Sequence, residues 1–391
     1  MRLAQLSESF GIPSETFVYE LNKELAERLR NEYRLFTFNR FQPELFPSAN
    51  VEVLAYSSPS VVNNFLAKVN SLSATLPYVS RHWHNQRVTL QKALSAFAPT
   101  LIHAHFGPLA IIAAPVARSM GIPLIVTFHG YDVSKLTRDK RWRSAYKSLV
   151  EDKVHAIGVS NHICSKIHDR IGIDPARIHL VHGGINIENF HFSPPSDRFD
   201  GIHVRLLCIG RIVAKKSPLE LVDAVKLARQ KLGDHPRISL TWIGDGILRD
   251  RLESHIASNE ITGIELCGAQ SPDRIREALS THHLYTQMAC TAPDGDEEGQ
   301  GITLVEALAT GLPIVTVRHN GFPDVIDSGS TGFLVDEHDV EGFASQIAEL
   351  ASRPESWRKI SEASRLRAID KFTIAKQTDK FLSICNAVCR K

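Results

Sequence analysis

The chain has 391 residues, 43% of them hydrophobic and 23% charged, with 23 glycines and 19 prolines. That composition excludes collagenous, low-complexity and wholly disordered proteins, and it leaves apolar material for two cores at roughly 150 residues per domain. The formal net charge of +2 hides an asymmetry: residues 1–190 carry 21 Lys and Arg against 15 Asp and Glu, the remainder 24 against 28.

The longest near-continuous apolar run, Leu109 to Ala117, contains Pro115. It is far short of the about 20 residues a membrane-spanning helix needs. The apolar stretch Leu3–Leu6 is too short for a secretory signal. Six cysteines lie scattered without a CxxC pair. The expectation is a reduced, cytoplasmic protein, and a disulfide scaffold is disfavoured.

In chain order, β-branched runs alternate with amphipathic stretches. Strands are predicted at Arg2–Leu6, Leu35–Asn39, Val51–Tyr56, Leu101–His105, Leu124–Phe128 and His155–Val159, with helices at Phe17–Arg30 and Leu109–Met120. Lys135, Arg138, Lys140, Arg141, Arg143 and Lys147 form a basic segment opposed only by Asp139. It reads as a solvated helical face, or as a contact for anionic lipid or a phosphorylated acceptor. Phe190–Asp197, with Pro194-Pro195 inside it, reads as a linker. The alternation then restarts. Strands are predicted at Val204–Ile209, Ser239–Ile243, Ile264–Cys267, Leu284–Met288 and Ile314–Val317. Helices are predicted at Leu219–Lys231, Ile247–Ala257, Pro272–Ser280, Thr303–Thr310, Val340–Ser352 and Glu355–Lys371, with a last amphipathic segment at Ile374–Val388. This is an α/β chain of two doubly wound domains, 1–192 and 193–373.

Ligands of such sheets bind beyond the carboxyl ends of the strands. A dinucleotide fingerprint is absent, because Arg249 occupies the third glycine position after Gly244-Asp245-Gly246. A phosphate-wrapping P-loop is disfavoured as well, since Lys215 replaces its second glycine. Arg211 and Lys216, however, follow one strand tip and could grip a diphosphate, one by a fork and one as a point charge. Solvent-exposed loop charges are the plainer alternative. Glu298 and Glu306 are separated by seven residues, with Gly299 and Gly301 between them and a helix opening near Thr303. The glycines allow close backbone approach, and the helix start aims free N–H groups at an anion. A helix whose early carboxylates complement its dipole is the alternative, which explains Glu306 poorly because it lies past the first turn.

The Glu298–Glu306 segment followed by Ala307-Leu308-Ala309-Thr310-Gly311-Leu312-Pro313 resembles the signature of family GT4 retaining glycosyltransferases of the GT-B fold. Gly210-Arg211 with Lys216 resembles their donor-diphosphate motif. His103-Ala104-His105-Phe106-Gly107, Thr127-Phe128-His129-Gly130-Tyr131-Asp132, Val159-Ser160-Asn161 and Asn320-Gly321-Phe322-Pro323-Asp324 match further. Ser14-Glu15-Thr16-Phe17 is similar to exopolysaccharide-type members. The resemblance implies two Rossmann-like domains facing across a cleft, the N-terminal one for the acceptor and the C-terminal one for a UDP- or GDP-type sugar nucleotide. The segment 374–391 is expected to pack back on the N-terminal domain.

By the same resemblance, His129, Arg211, Lys216 and Glu298 would carry catalysis. His129 and Glu298 would touch the transferred sugar, and the two cations the leaving diphosphate. Gly301, Ile302 and Thr303 would complete the anion site, Glu306 would hold the ribose, and Ala269 would flank the base. Gly11 would approach the donor, although a single glycine stands where many members carry two. Asp132 would face the acceptor, a saccharide or lipid-linked saccharide of glycan assembly. His105 is expected to be structural or to stand behind the site. No cofactor and no metal are expected, despite Asp294, Asp296 and Glu297 beside Glu298. No nucleic-acid motif is present. Peripheral contact with the inner membrane face through Lys135–Lys147 is a further expectation. The alternatives are glycosylation of a small natural product, a sugar-nucleotide epimerase or hydrolase, and a non-catalytic binding subunit.

Overall fold

The computed structural model describes residues 1–55, 81–233 and 235–390. The chain divides into two compact units, Met1–His182 with Ile374–Lys391, and Gly183–Thr373. The boundary therefore precedes the expected linker. Residues 183–192 belong to the second unit, because the Ile185 amide donates to the Phe372 carbonyl (2.9 Å) and Gly183 is held on both sides by Gln300. The linker residues Phe190 and Pro195 are buried within that unit.

The first unit is a seven-stranded parallel sheet: β1 (Leu3–Phe10), β2 (Tyr33–Arg40), β3 (Val51–Val53), β4 (Leu101–His105), β5 (Leu124–Phe128), β6 (His155–Gly158) and β7 (Ile178–Leu180), ordered β3-β2-β1-β4-β5-β6-β7. Helices α1 (Thr16–Leu29), α2 (Arg81–Phe97), α3 (Gly107–Met120), α4 (Lys140–Glu151) and α5 (Asn161–Lys166) connect them. β4 and β5 are buried along their whole length, as strands covered on both faces must be. On one face α2, α3 and α4 pack over Ala4, Leu6, Ile102, Ala104 and Val126. On the other, α1 packs with the chain's final helix, in which Phe381 and Cys385 join Leu3, Leu21, Leu101 and Ile125 in one core cluster. Of the strand expected at Val51–Tyr56, only the first three residues are extended, and Tyr56 lies outside the described residues.

The second unit is a six-stranded parallel sheet: β8 (His203–Ile209), β9 (Arg237–Ile243), β10 (Ile264–Leu266), β11 (Leu284–Gln287), β12 (Ile314–Val317) and β13 (Gly332–Val335), ordered β10-β9-β8-β11-β12-β13. Its helices are α6 (Pro218–Leu232), α7 (Arg249–Ser258), α8 (Pro272–Thr281), α9 (Ile302–Thr310), α10 (Phe322–Val325), α11 (Val340–Ala351) and α12 (Trp357–Lys371), and α13 (Ile374–Cys389) closes the chain in the first unit. Each strand order reverses once, at β1/β4 and at β8/β11. The carboxyl ends at these two switch points are where an open α/β sheet offers a crevice. Among the described residues no helix is long and apolar enough to cross a membrane.

Candidate active site

In the second unit the residues singled out in the sequence converge on the β8/β11 switch point. Strand β8 ends at Ile209, and its carbonyl lies 3.2 Å from the Tyr285 hydroxyl on β11. The same hydroxyl lies 2.9 Å from Thr303 Oγ1 at the start of α9 and 2.9 Å from Gln287 Oε1. One buried tyrosine thus ties the strand tip that carries Gly210-Arg211 to the helix start that carries Gly301-Ile302-Thr303. After Gly210 the chain makes a short 3₁₀ turn, Ala214–Lys216. It returns the Lys216 side chain over Gly210, where a β-carbon would stand 3.3 Å from Lys216 Cε.

Glu298 meets this turn. Its Oε1 lies 3.3 Å from Lys216 Nζ and 3.4 Å from Lys215 Nζ, with only 14% of its side chain exposed. Burial on its own would raise the carboxyl pKa, but the charges of Lys216 and Lys215 more than offset it and hold the group at about 2. Lys215 is the residue that sequence reasoning passed over. It is buried, reaches Asp296 Oδ1 at 3.2 Å and donates to the Glu297 carbonyl. Its only sequence signal was adjacency to Lys216. The acidic run is therefore threaded by a lysine, and among the described residues no three His, Cys, Asp or Glu side chains form a metal-ligand set.

The Glu298 loop is pinned from below by Asn320 and His319. Asn320 Nδ2 donates to the Glu298 carbonyl and to Glu297 Oε2, both at 3.3 Å. His319, fully buried, accepts from the Glu298 amide at Nε2 (3.4 Å) and turns Nδ1 to Glu337 Oε1 (2.6 Å). This gives the Asn320–Asp324 motif a local physical task. Gly301 sits at φ +80°, and a β-carbon there would lie 2.7 Å from Phe322 of the same motif, so only glycine fits the turn into α9. Arg211 is exposed, and its guanidinium has no partner among the described residues. Ala269 is exposed just beyond β10, beside the Gly244–Gly268 bridge. Glu306 is half-buried, one turn into α9.

The N-terminal residues converge at the other switch point, β1/β4. His129 follows β5 and is half-buried, its ring 4.4 Å from that of Phe106 and 4.6 Å from that of Phe17. Burial, and then the neighbouring His105, depress its pKa well below the usual histidine range. Asp132, expected to face an acceptor, does not. It is fully buried, and its carboxylate accepts from the amides of His129 (3.1 Å), Gly130 (3.0 Å) and Gly107 (3.2 Å). Its place is under the His129 turn, which it shapes. Burial raises its pKa to about 6 against the lowering effect of those amides. Gly11 has a structural cause: its φ is +88°, and a β-carbon would sit 2.1 Å from the Phe41 carbonyl where the β2 tip crosses. In the basic segment, Arg141 pairs with Asp139 (2.6 Å) and Arg143 donates to the Thr137 carbonyl (2.6 Å), so two of its six cations serve the helix itself.

Residues 14–189 match the Glycosyltransferase Family 4 family, and residues 195–367 match Glycosyl transferases group 1. The chain belongs to the GT4-type glycosyltransferases. It is 26% identical over 259 residues to the putative colanic acid biosynthesis glycosyltransferase WcaL of Salmonella typhimurium, and 26% identical over 260 residues to the amylovoran biosynthesis glycosyltransferase AmsK of Erwinia amylovora. Each match takes in 65% of this chain and 62% of the relative's length, so the likeness spans less than two thirds of those proteins. Among solved structures, Anabaena Alr3699/HepE in complex with UDP and glucose superimposes with a TM-score of 0.74 at 16% identity, covering 99% of this chain and 100% of that one. The shared architecture is GT-B: two Rossmann-like parallel sheets, each presenting its switch-point loops.

Proposed function

We propose that the chain transfers a sugar from a nucleoside-diphosphate sugar to a hydroxyl of a saccharide or lipid-linked saccharide, with retention of anomeric configuration, in exopolysaccharide assembly. The observation that carries this reading is the β8/β11 switch point. There, Lys216 and the free start of α9 lie within one hydrogen-bonded frame with an ionised, desolvated Glu298.

A fixed cation, Lys216, and a helix N-terminus suit a diphosphate and the charge that develops on it as it leaves. Arg211 is free to close on it from the loop. Glu298, held as a carboxylate, accepts from hydroxyls of the transferred sugar, and Glu306 from those of the ribose. His129, held neutral, meets the sugar as a hydrogen-bonding partner without charge. The leaving diphosphate itself takes the proton of the acceptor hydroxyl, so the protein's share is positioning and electrostatics. The presence of UDP in the Alr3699/HepE complex makes UDP-sugars the first donors to test. The basic segment around α4 is the proposed contact for an anionic membrane surface, at the cytoplasmic face.

The test is a thermal-shift screen across UDP- and GDP-sugars and the free diphosphates, followed by product analysis with and without acceptor and with chelator. Stabilisation by a sugar nucleotide, acceptor-dependent transfer and indifference to chelator support the reading. Donor conversion that ignores acceptor, or activity abolished by chelator, contradicts it.

A further inference from the structure

His129 is held from behind by a buried chain of polar side chains. Side chains alternate along a strand, so one face of the first sheet reads Leu3, Gln5 on β1, Leu101, His103, His105 on β4, and Ile125, Thr127 on β5, with His129 just beyond. Register pairs Gln5 with His103 and His105 with Thr127. The early positions are apolar and join the core under α1 and α13. Toward the carboxyl ends polar groups replace them, yet they remain buried: Gln5 and His103 are fully enclosed, and His105 nearly so.

The contacts form a continuous path. His129 Nε2 lies 3.1 Å from His105 Nδ1. His105 Nε2 lies 2.7 Å from the Gln5 amide nitrogen, which also stands 3.3 Å from His103 Nδ1. The Tyr33 hydroxyl bonds Gln5 Oε1 and lies 2.9 Å from Asn22 Oδ1. Tyr33 has one proton and cannot donate to both oxygens, and turning over either amide removes the conflict.

Two complete patterns then satisfy every group. In the first, Gln5 donates to His105, His105 donates to His129 Nε2, and His129 keeps its proton on Nδ1. In the second, with the Gln5 amide turned over, each bond reverses and His129 donates from Nε2, leaving a lone pair on Nδ1. No group in the path has a fixed direction, and no proton is gained or lost between the patterns. In both, Nε2 is consumed, and Nδ1, which has no partner among the described residues, is the nitrogen left open.

We propose that Gln5 and His105 are positioning residues for His129: they fix its ring so that Nδ1 alone meets the ligand, and the reversible chain lets that nitrogen donate to a sugar or phosphate oxygen, or accept from a sugar hydroxyl, while the ring stays uncharged. The inference rests on the reading of His129 as a sugar contact, and its first test does not.

In the unliganded full-length protein labelled with ¹⁵N-histidine, an across-hydrogen-bond coupling is expected between His105 Nδ1 and His129 Nε2. Gln5→Met, which keeps the side-chain length, is expected to weaken or abolish that coupling while the circular dichroism spectrum is kept. No such coupling in the wild type, or one that engages His129 Nδ1, overturns the inference whatever the variant does. With UDP-glucose as donor, Gln5→Met is expected to lower kcat about tenfold, the low end of what removing the partner behind a metal-ligating histidine costs, with KM little changed. It should cost nothing further in a His129→Ala background. An equal loss in both backgrounds makes Gln5 a packing residue only and overturns the proposal. A wild type that shows the coupling but consumes no sugar nucleotide contradicts the functional reading and leaves the positioning geometry standing.

Discussion

Lys216 Nζ stands 3.3 Å from Glu298 Oε1, so the cation proposed for a diphosphate and the carboxylate proposed for a sugar form one ion pair with each other. If a ligand brings its own negative charge to Lys216, Lys215, at 3.4 Å, stays beside Glu298.

Arg211 and Lys216 should therefore differ on mutation. Arg211 is exposed and without a partner among the described residues, so Arg211→Ala should leave stability within about 0.5 kcal/mol. Its turnover should fall by about 2–4 kcal/mol of transition-state stabilisation, as for a lost oxyanion donor. Lys216→Ala should lower turnover and also cost about 1–3 kcal/mol of stability, because it takes a charged partner from a buried carboxylate. Urea unfolding and steady-state rates on the two variants check both halves.

Glu298 should leave a mark on acid stability. Its folded-state pKa of about 2 lies below the ordinary 4.5, so the unfolded chain binds the proton first as pH falls. The stabilisation is complete above about pH 4.5 and is lost as pH drops toward about 2, a total on the order of 3 kcal/mol. Glu298→Gln should flatten this part of the stability–pH curve. A curve of unchanged slope would mean that the carboxylate is not held ionised.

Much of this site was legible because parallel strands buried on both faces read as apolar runs: β4, β5 and β12 appear in the sequence with the bounds they have in the fold. The tip of β5, and hence His129, followed directly, as did that of β8, whose expected end at Ile209 is its actual one, and hence Gly210-Arg211. Strands β7 and β13 did not: β7 is three half-buried residues at one sheet edge, and β13, apolar but only four residues long at another, is too short to stand out. Asp132 was misjudged because a sequence cannot tell a carboxylate aimed at three amides from one aimed at a ligand. Tyr285, His319 and Asn320 act across separations that no local pattern reports.

The three adjoining histidines predict the opposite of a charged cluster. His103, His105 and His129 all have depressed pKa values, by burial first, with His105 at about 3. Unfolding below pH 6.5 must therefore take up protons, and the stability of the first unit should fall as pH drops from about 6.5 toward 3. Asp132, raised to about 6, works against this, since its contribution falls as pH rises from about 4 to 6. NMR titration should show ring signals of the three histidines that stay neutral at pH 5.5, while exposed histidines titrate.

Gly301→Ala should strain a turn at φ +80° and drive a β-carbon against Phe322. The expected cost is about 1–3 kcal/mol of stability, together with a loss of sugar-nucleotide affinity as the start of α9 shifts. Pairing it with Phe322→Leu should recover part of the steric cost and none of the backbone cost. Melting temperatures of the single and double variants measure that difference.

The most direct test is calorimetric titration of a nucleoside diphosphate and its sugar nucleotide, UDP and UDP-glucose first and the GDP pair next, into the wild type and into Arg211→Ala/Lys216→Ala. The account predicts saturable one-to-one binding of one pair to the wild type and at least a tenfold loss in the double variant. Binding that is unchanged in the double variant, or no binding of any nucleoside diphosphate to the wild type, would contradict it.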